Sequence, residues 1–555
     1  MRCGNLSDAE HAARAAVGLG SSNPSTHALL GEILARQGRY QEAEAAERKS
    51  LALAPAFPQA TLLLAGILQD QGRFEESLAC LEAARARGLR SGDLCFLRAR
   101  ALLSSGRASE AQSAFRELMQ LDPGNAKAAE GFAAACLDAG DVDAGEATLH
   151  AASKRGHVSA ESTFLLARAA MARGHYEMAE GELRSALRMR TVYPAAQTNL
   201  AELVWMRTGD LDAATRELNE ALRADPRNTE LRVFKAKMIE WAVSQADALE
   251  EIESGLALEP GNRILMLAAA QTGLKCDPPK ALAYAEQLVR VSPREQTVLS
   301  AYASALLACG QAGEAAVVAE RMRSANPLDG NAIALLASAW RALGDGRYRR
   351  LYDYERSVWA NKLDVPQGWS SLQDYLVDLG ASLQRIHTLT AHPIGQTLRR
   401  GSQIDLTSGH MADVAIRAFI QAIDGPIRRY MDWLGKGEDW LRVRNTGNWK
   451  LGGIWSVRLR ATGFHVNHYH PDGWLSSACY IDVPPGVGAD SRAGWIQFGQ
   501  PGIPMTPMPE AEYFVRPEPG LLVLFPSWMW HGTVPFAGNA ADNRLTIAFD
   551  VLPAT

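Results

Sequence analysis

Glycine recurs through the first 345 residues at a nearly fixed step: Gly4, Gly38, Gly72, Gly106, Gly140, Gly174 and Gly209, then Gly310 and Gly344. The step is 34 residues, once 35, and the interval from 209 to 310 holds three steps. Such a period belongs to stacked supersecondary units, each burying its apolar face against its neighbours. The surrounding motif is shared: QGRYQEA at 37–43, QGRFEES at 71–77, RGHYEMA at 173–179 and TGDLDAA at 208–214. Seven residues before the glycine stands a small residue, Gly31, Ala65, Ala99, Ala133, Ala167, Ala303 or Ala337. Five after it stands alanine in several repeats, as at Ala43, Ala111, Ala179 and Ala315. Small residues at facing positions let two helix axes approach closely. The glycine is predicted to end the first helix of each pair. Proline closes several repeats, at Pro55, Pro123, Pro226, Pro260 and Pro327, where a helix must stop. The motif degenerates near Ser244 and Cys276–Pro279, which predicts an irregular stretch there. Gly4 and Ala9 already fit the second half of a repeat. That implies either a misassigned start or an unpaired N-terminal cap helix.

This period and pattern resemble the tetratricopeptide repeat. The resemblance implies an α-solenoid over residues 1–345, about ten helix pairs with the first incomplete. Solenoids of this kind offer a concave groove to an extended peptide or a partner helix, so a protein or peptide partner is expected. A passive spacer or an oligomerisation surface is the alternative. No pattern of groove-lining residues stands out.

Charge narrows the partners. The net charge is -5 and the pI is near 6.2, with no Lys/Arg run. That argues against a nucleic-acid partner or an anionic membrane, either of which favours a basic patch. The opening MRCGNLSDAEHAAR lacks the apolar stretch of a signal peptide, and no apolar run is long enough to span a bilayer. The seven cysteines are scattered without a CxxC. Both features predict a cytoplasmic protein with reduced thiols.

Composition changes along the chain. Ten of the thirteen tryptophans follow residue 350, and the chain beyond 450 is rich in Gly, Pro, Trp and short apolar runs. Residues 346–450 read as a helical bridging part, with helical patterns near 370–387 and 411–434 and a short polar strand candidate at Arg399–Asp405. His387 and His392 have no ligand partner at useful spacing and read as packing histidines. Residues 451–555 read as short antiparallel strands, a sandwich or barrel in which a jelly-roll mouth holds a metal.

The chemistry-bearing residues lie in that last part. On a strand, His468 and His470 share a face. His531 lies 61 residues beyond His470, at the end of the apolar strand LLVLFPS. Arg544 opens the last strand, with Thr546 two residues on. Two histidines and a carboxylate with open positions form the usual non-haem Fe(II) oxygenase site. A strand arginine suits the 2-oxoglutarate carboxylate through paired, charged hydrogen bonds. The standard His-x-Asp pair is absent. Either His468, His470 and His531 form a three-histidine set, or His470 and Asp472 supply the pair; Pro471-Asp472-Gly473 is also a common turn composition. Three imidazoles hold Fe(II) but also Zn(II). Tyr480 reads as a donor to 2-oxoglutarate or as a core tyrosine. His465 reads as a supporting or surface residue, of the wrong parity to face the metal with His468. Trp474, Trp528 and Trp530 read as core, and Asn467 has no assigned role.

The segments HYHPDGWLSSACYIDVP (468–484), PGLLVLFPSWMWHGTVPF (519–536) and RLTIAFD (544–550) resemble a bacterial and phage group of 2-oxoglutarate/Fe(II) oxygenases often fused behind tetratricopeptide repeats. HPIGQTLRRGSQ (392–403) resembles the same group. More distantly, residues 350–555 look like the prolyl-hydroxylase type of double-stranded β-helix. The resemblance implies an α+β domain with a double-stranded β-helix (jelly-roll) core. It favours His468 and His470, with His531, as ligands of Fe(II). It also implies 2-oxoglutarate held by Arg544 and Thr546, and dioxygen as co-substrate. The expected activity is hydroxylation of a protein or peptide recruited by the repeats. Two other classes stay open: a scaffold with a catalytically silent jelly-roll, and a Zn-dependent or cupin-like enzyme. Keeping Arg544 favours the oxygenase; lacking a sure carboxylate favours the silent form.

Overall fold

The computed structural model of the protein describes residues 6–18, 22–407, 409–488, 491–539 and 542–554. Gly4, the first glycine of the period, lies outside them. Two compact units divide the chain, Met1–Met189 and Arg190–Thr555.

In the first unit the Leu6–Gly18 helix precedes five helix pairs, running from Pro24–Arg36 with Tyr40–Leu53 to Ala160–Ala172 with Tyr176–Met189. The period expresses itself here as geometry. Gly38, Gly72, Gly106, Gly140 and Gly174 each follow the first helix of a pair with φ between 73° and 81°. An L side chain there costs about 1–2 kcal/mol, so the glycine ends one helix and turns the chain into the next. The small residues seven before and five after them are the contact points. Ala65, Ala99, Ala133, Ala167, Ala43, Ala111 and Ala179 are all fully buried. At Gly31 the approach is closer still: an added Cβ would stand 2.0 Å from Glu47 Oε1.

The second unit continues the array with Pro194–Thr208 and Leu211–Ala224, and carries it on to Gly330–Ala342. Helices persist where the motif degenerates, because capping side chains take over the glycine's work. Ser244 accepts a hydrogen bond from the Asp247 amide to start Gln245–Leu258, and Asp277 accepts from Lys280 to start Pro278–Val291. The irregularity survives only as a shorter helix, Arg263–Thr272. No helix among the described residues is long and apolar enough to cross a membrane.

The rest of this unit is an α+β domain. Its strands are β1 (Trp359–Lys362), β2 (Leu398–Asp405), β3 (Asn448–His465), β4 (Leu475–Asp482), β5 (Ile496–Phe498), β6 (Tyr513–Val515), β7 (Leu521–Pro526), β8 (His531–Thr533) and β9 (Asn543–Ala554). They form a six-stranded sheet in the order β1-β7-β4-β9-β3-β2 and a three-stranded sheet β6-β5-β8, with antiparallel pairing throughout. Phe498 of β5 meets Phe525 of β7 with ring centroids 5.0 Å apart, so the sheets face each other. The helices Leu372–Ile386 and Val414–Leu434 cover the other face of the large sheet, through contacts such as Phe419 with Phe549. That double cover explains why β7, LLVLFP, is apolar at every position rather than alternating.

Three local expectations change. The bridging part holds one strand beyond the expected one: β1 joins β2, and the two form the edges of the large sheet. β2 carries the predicted strand, whereas β1 (WANK) has no alternating pattern and is a strand only because it pairs with β7. His531 does not end the LLVLFPS strand; β7 stops at Pro526, and His531 opens β8 in the other sheet. His468 and His470 do not sit on a regular strand. They lie in the extended connection after β3, held by one bridge between His468 and His531.

Candidate metal centre

That single bridge is what brings distant parts of the chain together. The His468 and His531 amides each donate to the other's carbonyl at 2.9 Å, and the His470 amide donates to Ser527 at 2.8 Å. Alternation along the extended backbone then turns His468 and His470 to one side and Tyr469 to the other. One ring nitrogen from each of His468, His470 and His531 lies within 4.8 Å of the other two. Their ring centroids are 4.2 to 5.3 Å apart.

Each Nδ1 of these rings already has a partner. His468 Nδ1 is 2.8 Å from the Val466 carbonyl, and His531 Nδ1 is 2.9 Å from that of Met529. His470 Nδ1 is 2.7 and 2.8 Å from the two Asp550 oxygens. All these partners are acceptors, so each Nδ1 carries the proton and each Nε2 keeps a lone pair. Ligating histidines are characteristically oriented in this way. Burial also keeps the His468 and His531 rings neutral. The open side of His468 reaches a cavity, but the ring lies deep, and burial pushes its pKa down to about 3. Burial, then the neighbouring histidines, holds His531 well below the ordinary value. Phe525 stands against the His531 ring at 4.6 Å.

The cluster opens on a cavity of about 650 Å³. One wall is β9, where Arg544, Thr546, Ala548 and Asp550 all line it, as alternate residues of one strand do. Asp550, at the histidine end of that row, is the residue that sequence reading missed. Its parity with Arg544 and Thr546 was the available signal. Arg544, at the other end, is 3% exposed, and no described carboxylate pairs with it. One guanidinium nitrogen donates to Gly494 at 3.0 Å, the group lies 5.0 Å from the Tyr480 ring, and its Nε has no partner. Burial pushes its pKa down and that of Tyr480 up. The Tyr480 hydroxyl is also buried without a partner. An unpaired buried cation costs several kcal/mol, which an anionic ligand in the cavity would offset. Thr546 lies between, its hydroxyl 3.4 Å from the Val457 carbonyl.

Other candidates fall elsewhere. Asp472 is exposed in a turn at the cavity edge, outside the histidine cluster. His465 does reach the cavity: it hydrogen-bonds Thr397 at 3.0 Å and stacks on His468 at 6.0 Å, since the chain leaves regular strand geometry between them. Asn467 joins the segment to β5 and its continuation, bonding Gln497 and Gln500 at 2.8 and 2.9 Å. Trp474, Trp528 and Trp530 are buried. His387 bridges Ser402 and Ser456 in the core, and His392 packs between Trp205 and Trp241 of the repeats.

Residues 453–550 match the model of a family described as "Putative 2OG-Fe(II) oxygenase". Two tetratricopeptide-repeat models match residues 1–60, 62–126 and 164–229, and residues 102–168. No curated protein matches the chain. Among solved structures, a tetratricopeptide repeat protein from Parabacteroides merdae is 15% identical, with a TM-score of 0.37, over 45% of this chain and 98% of its own. Yeast Tom70 is 14% identical, with a TM-score of 0.33, over 63% of this chain and 94% of its own. YrrB, a TPR protein with an unusual peptide-binding site, is 17% identical, with a TM-score of 0.29, over 34% and 97%.

Proposed function

We propose that this chain, which joins tetratricopeptide repeats to a domain of the 2OG-Fe(II) oxygenase family, is a 2-oxoglutarate- and Fe(II)-dependent dioxygenase that hydroxylates a protein or peptide recruited by the repeats. One observation carries the chemistry. Three outward-protonated histidines and an uncompensated buried arginine face the same cavity. The two facing antiparallel sheets suit a double-stranded β-helix core over 451–555, to which the preceding 346–450 adds helices and edge strands.

His468, His470 and His531 would hold the metal through Nε2. Bound iron with 2-oxoglutarate supplies reductive activation of dioxygen, with release of succinate and carbon dioxide and insertion of oxygen into a substrate C–H bond. Arg544 binds the distal carboxylate of the co-substrate, with the Thr546 and Tyr480 hydroxyls beside it. Asp550 keeps the His470 proton on Nδ1, so Nε2 stays free for the metal. Phe525 and Phe498 keep water from the far side of His531. The ligand set lacks a direct carboxylate and equally suits Zn(II), which keeps a cupin-like enzyme as the second reading.

Anaerobic addition of Fe(II) and then 2-oxoglutarate decides between them. The oxygenase gives a weak visible charge-transfer band, releases succinate on admitting air, and loses both in His531→Ala. Metal binding without band or succinate would leave a silent scaffold, and activity supported by Zn(II) alone would mark the cupin-like enzyme. For the substrate, partners recovered with the wild type should carry one oxygen more than those recovered with His531→Ala. Hydroxylation of a free metabolite instead would restrict the repeats to assembly.

A further inference from the structure

We infer that the last repeat is built into the metal centre: its Gly330–Ala342 helix positions both ligand-bearing segments. This rests on the reading that the three histidines hold a metal. The helix, GNAIALLASAWRA, is apolar on nearly every side and buried at Gly330 and from Ala332 to Trp340. A helix apolar all round belongs inside a larger body rather than at the edge of a solenoid. It lies in one hydrophobic core with the preceding repeat and with Trp528, Met529 and Trp530 of the C-terminal domain.

Its polar contacts fall beside the ligands. The Tyr469 hydroxyl donates to Asn331 Oδ1 at 2.9 Å, and Tyr469 stands between His468 and His470. Trp530 Nε1 donates to Ser338 Oγ at 2.9 Å, and Trp530 immediately precedes His531. Asn331 and Ser338, two turns apart, share one helix face. In extended backbone the neighbours of an inward side chain point outward. Tyr469 and Trp530 are therefore the outward anchors of segments whose inward residues are the ligands. The two anchors also meet each other edge to face, with ring centroids 4.6 Å apart. Gly330 closes the arrangement. A Cβ there would stand 2.3 Å from the carbonyl oxygen of Pro471 and 2.9 Å from its Cα, and Pro471 follows His470. Since backbone rather than a flexible side-chain end is in the way, a side chain at 330 must shift the ligand segment or the helix. Arg341 ties the far end, donating to the Gly499 and Glu510 carbonyls at 2.8 and 2.6 Å.

The test is Co(II) titration of the full chain, read by the visible spectrum of the bound ion and by affinity. Gly330→Ala is expected to weaken Co(II) binding roughly tenfold or more, the range for lost support of metal ligands, and to shift the visible bands. Gly313→Ala, on the adjoining Ala312–Ala325 helix with open space around it, should leave both unchanged. Asn331→Ala and Tyr469→Phe remove the same hydrogen bond without a clash. Each should shift the bands alike, with no further shift in the double variant, and this pair decides the matter if Gly330→Ala does not fold. Wild-type affinity and spectra in folded Gly330→Ala, or in both hydrogen-bond variants, would overturn the inference while leaving the metal reading intact. A wild type that binds no Co(II) would overturn both.

Discussion

At the scale of single residues, Asp550 does for His470 what backbone carbonyls do for His468 and His531, and adds a carboxylate that the three proposed ligands lack. Asp550→Ala should therefore weaken metal binding about 10- to 100-fold while the fold persists; competition with a chromogenic chelator would measure it, and wild-type affinity would deny Asp550 its orienting role. Arg544 is the residue proposed to act on the co-substrate. Arg544→Ala should weaken 2-oxoglutarate binding about 10- to 150-fold, matching the roughly 1.5–3 kcal/mol of a charge-assisted pair, with metal affinity unchanged. Calorimetry of the metal-loaded protein reads both, and unaltered 2-oxoglutarate affinity would remove the arginine from the site. Glu47, in the first unit, offers a test by pH. It is buried, neither carboxyl oxygen has a partner, and burial pushes its pKa up to about 8. Folded protein keeps this proton between pH 4.5 and 8 where unfolded chain has lost it, so the group's contribution to stability falls as pH rises across that window. Glu47→Gln should then stabilise the protein at pH 8 and gain little at pH 5, as urea unfolding would show; an equal gain at both would mean that the carboxyl ionises freely.

At the scale of elements, the repeat glycines that end helices and a glycine within a helix, Gly313, make opposite demands. Gly209 ends Pro194–Thr208 at φ 71°, so Gly209→Ala should cost about 1–2 kcal/mol. Gly313 sits inside a helix with nothing near its missing Cβ, and Gly313→Ala should stabilise by up to about 1 kcal/mol. Denaturant midpoints moving the same way in both variants would break the argument. The helix pairs were legible because each is a local unit carrying its own stop signal. β1 was not, since its four residues have no pattern of their own and depend on β7 for every ladder bond.

At the scale of the molecule, repetition and compactness end in different places. The repeat motif runs to about residue 345, whereas the compact division falls between Met189 and Arg190. A chain beginning at Arg190 should fold and bind Co(II) as the full chain does. One beginning at 346 lacks Asn331, Ser338 and the apolar helix around them, leaving the Tyr469 hydroxyl and Trp530 Nε1 without these partners. It should aggregate or bind Co(II) at least roughly tenfold more weakly. Sedimentation and Co(II) titration of the two chains would tell, and equal behaviour would make the last repeat dispensable.

What the sequence determined by itself is whatever a local pattern can carry. The glycine period, the small-residue stripes and the closing prolines specify helix pairs, because each signal acts within a few residues of itself. The closely spaced His468 and His470 mark the candidate chemistry for the same reason, and the resemblance of their segments adds His531 and Arg544 to them. Tertiary structure decided what spans long separations. Asp550 meets His470 across 80 residues, Asn331 meets Tyr469 across 138, and Ser338 meets Trp530 across 192. No periodicity links such pairs. They become neighbours only once the sheets close and the last repeat docks, where buried polar atoms must find partners and backbone must fit against backbone.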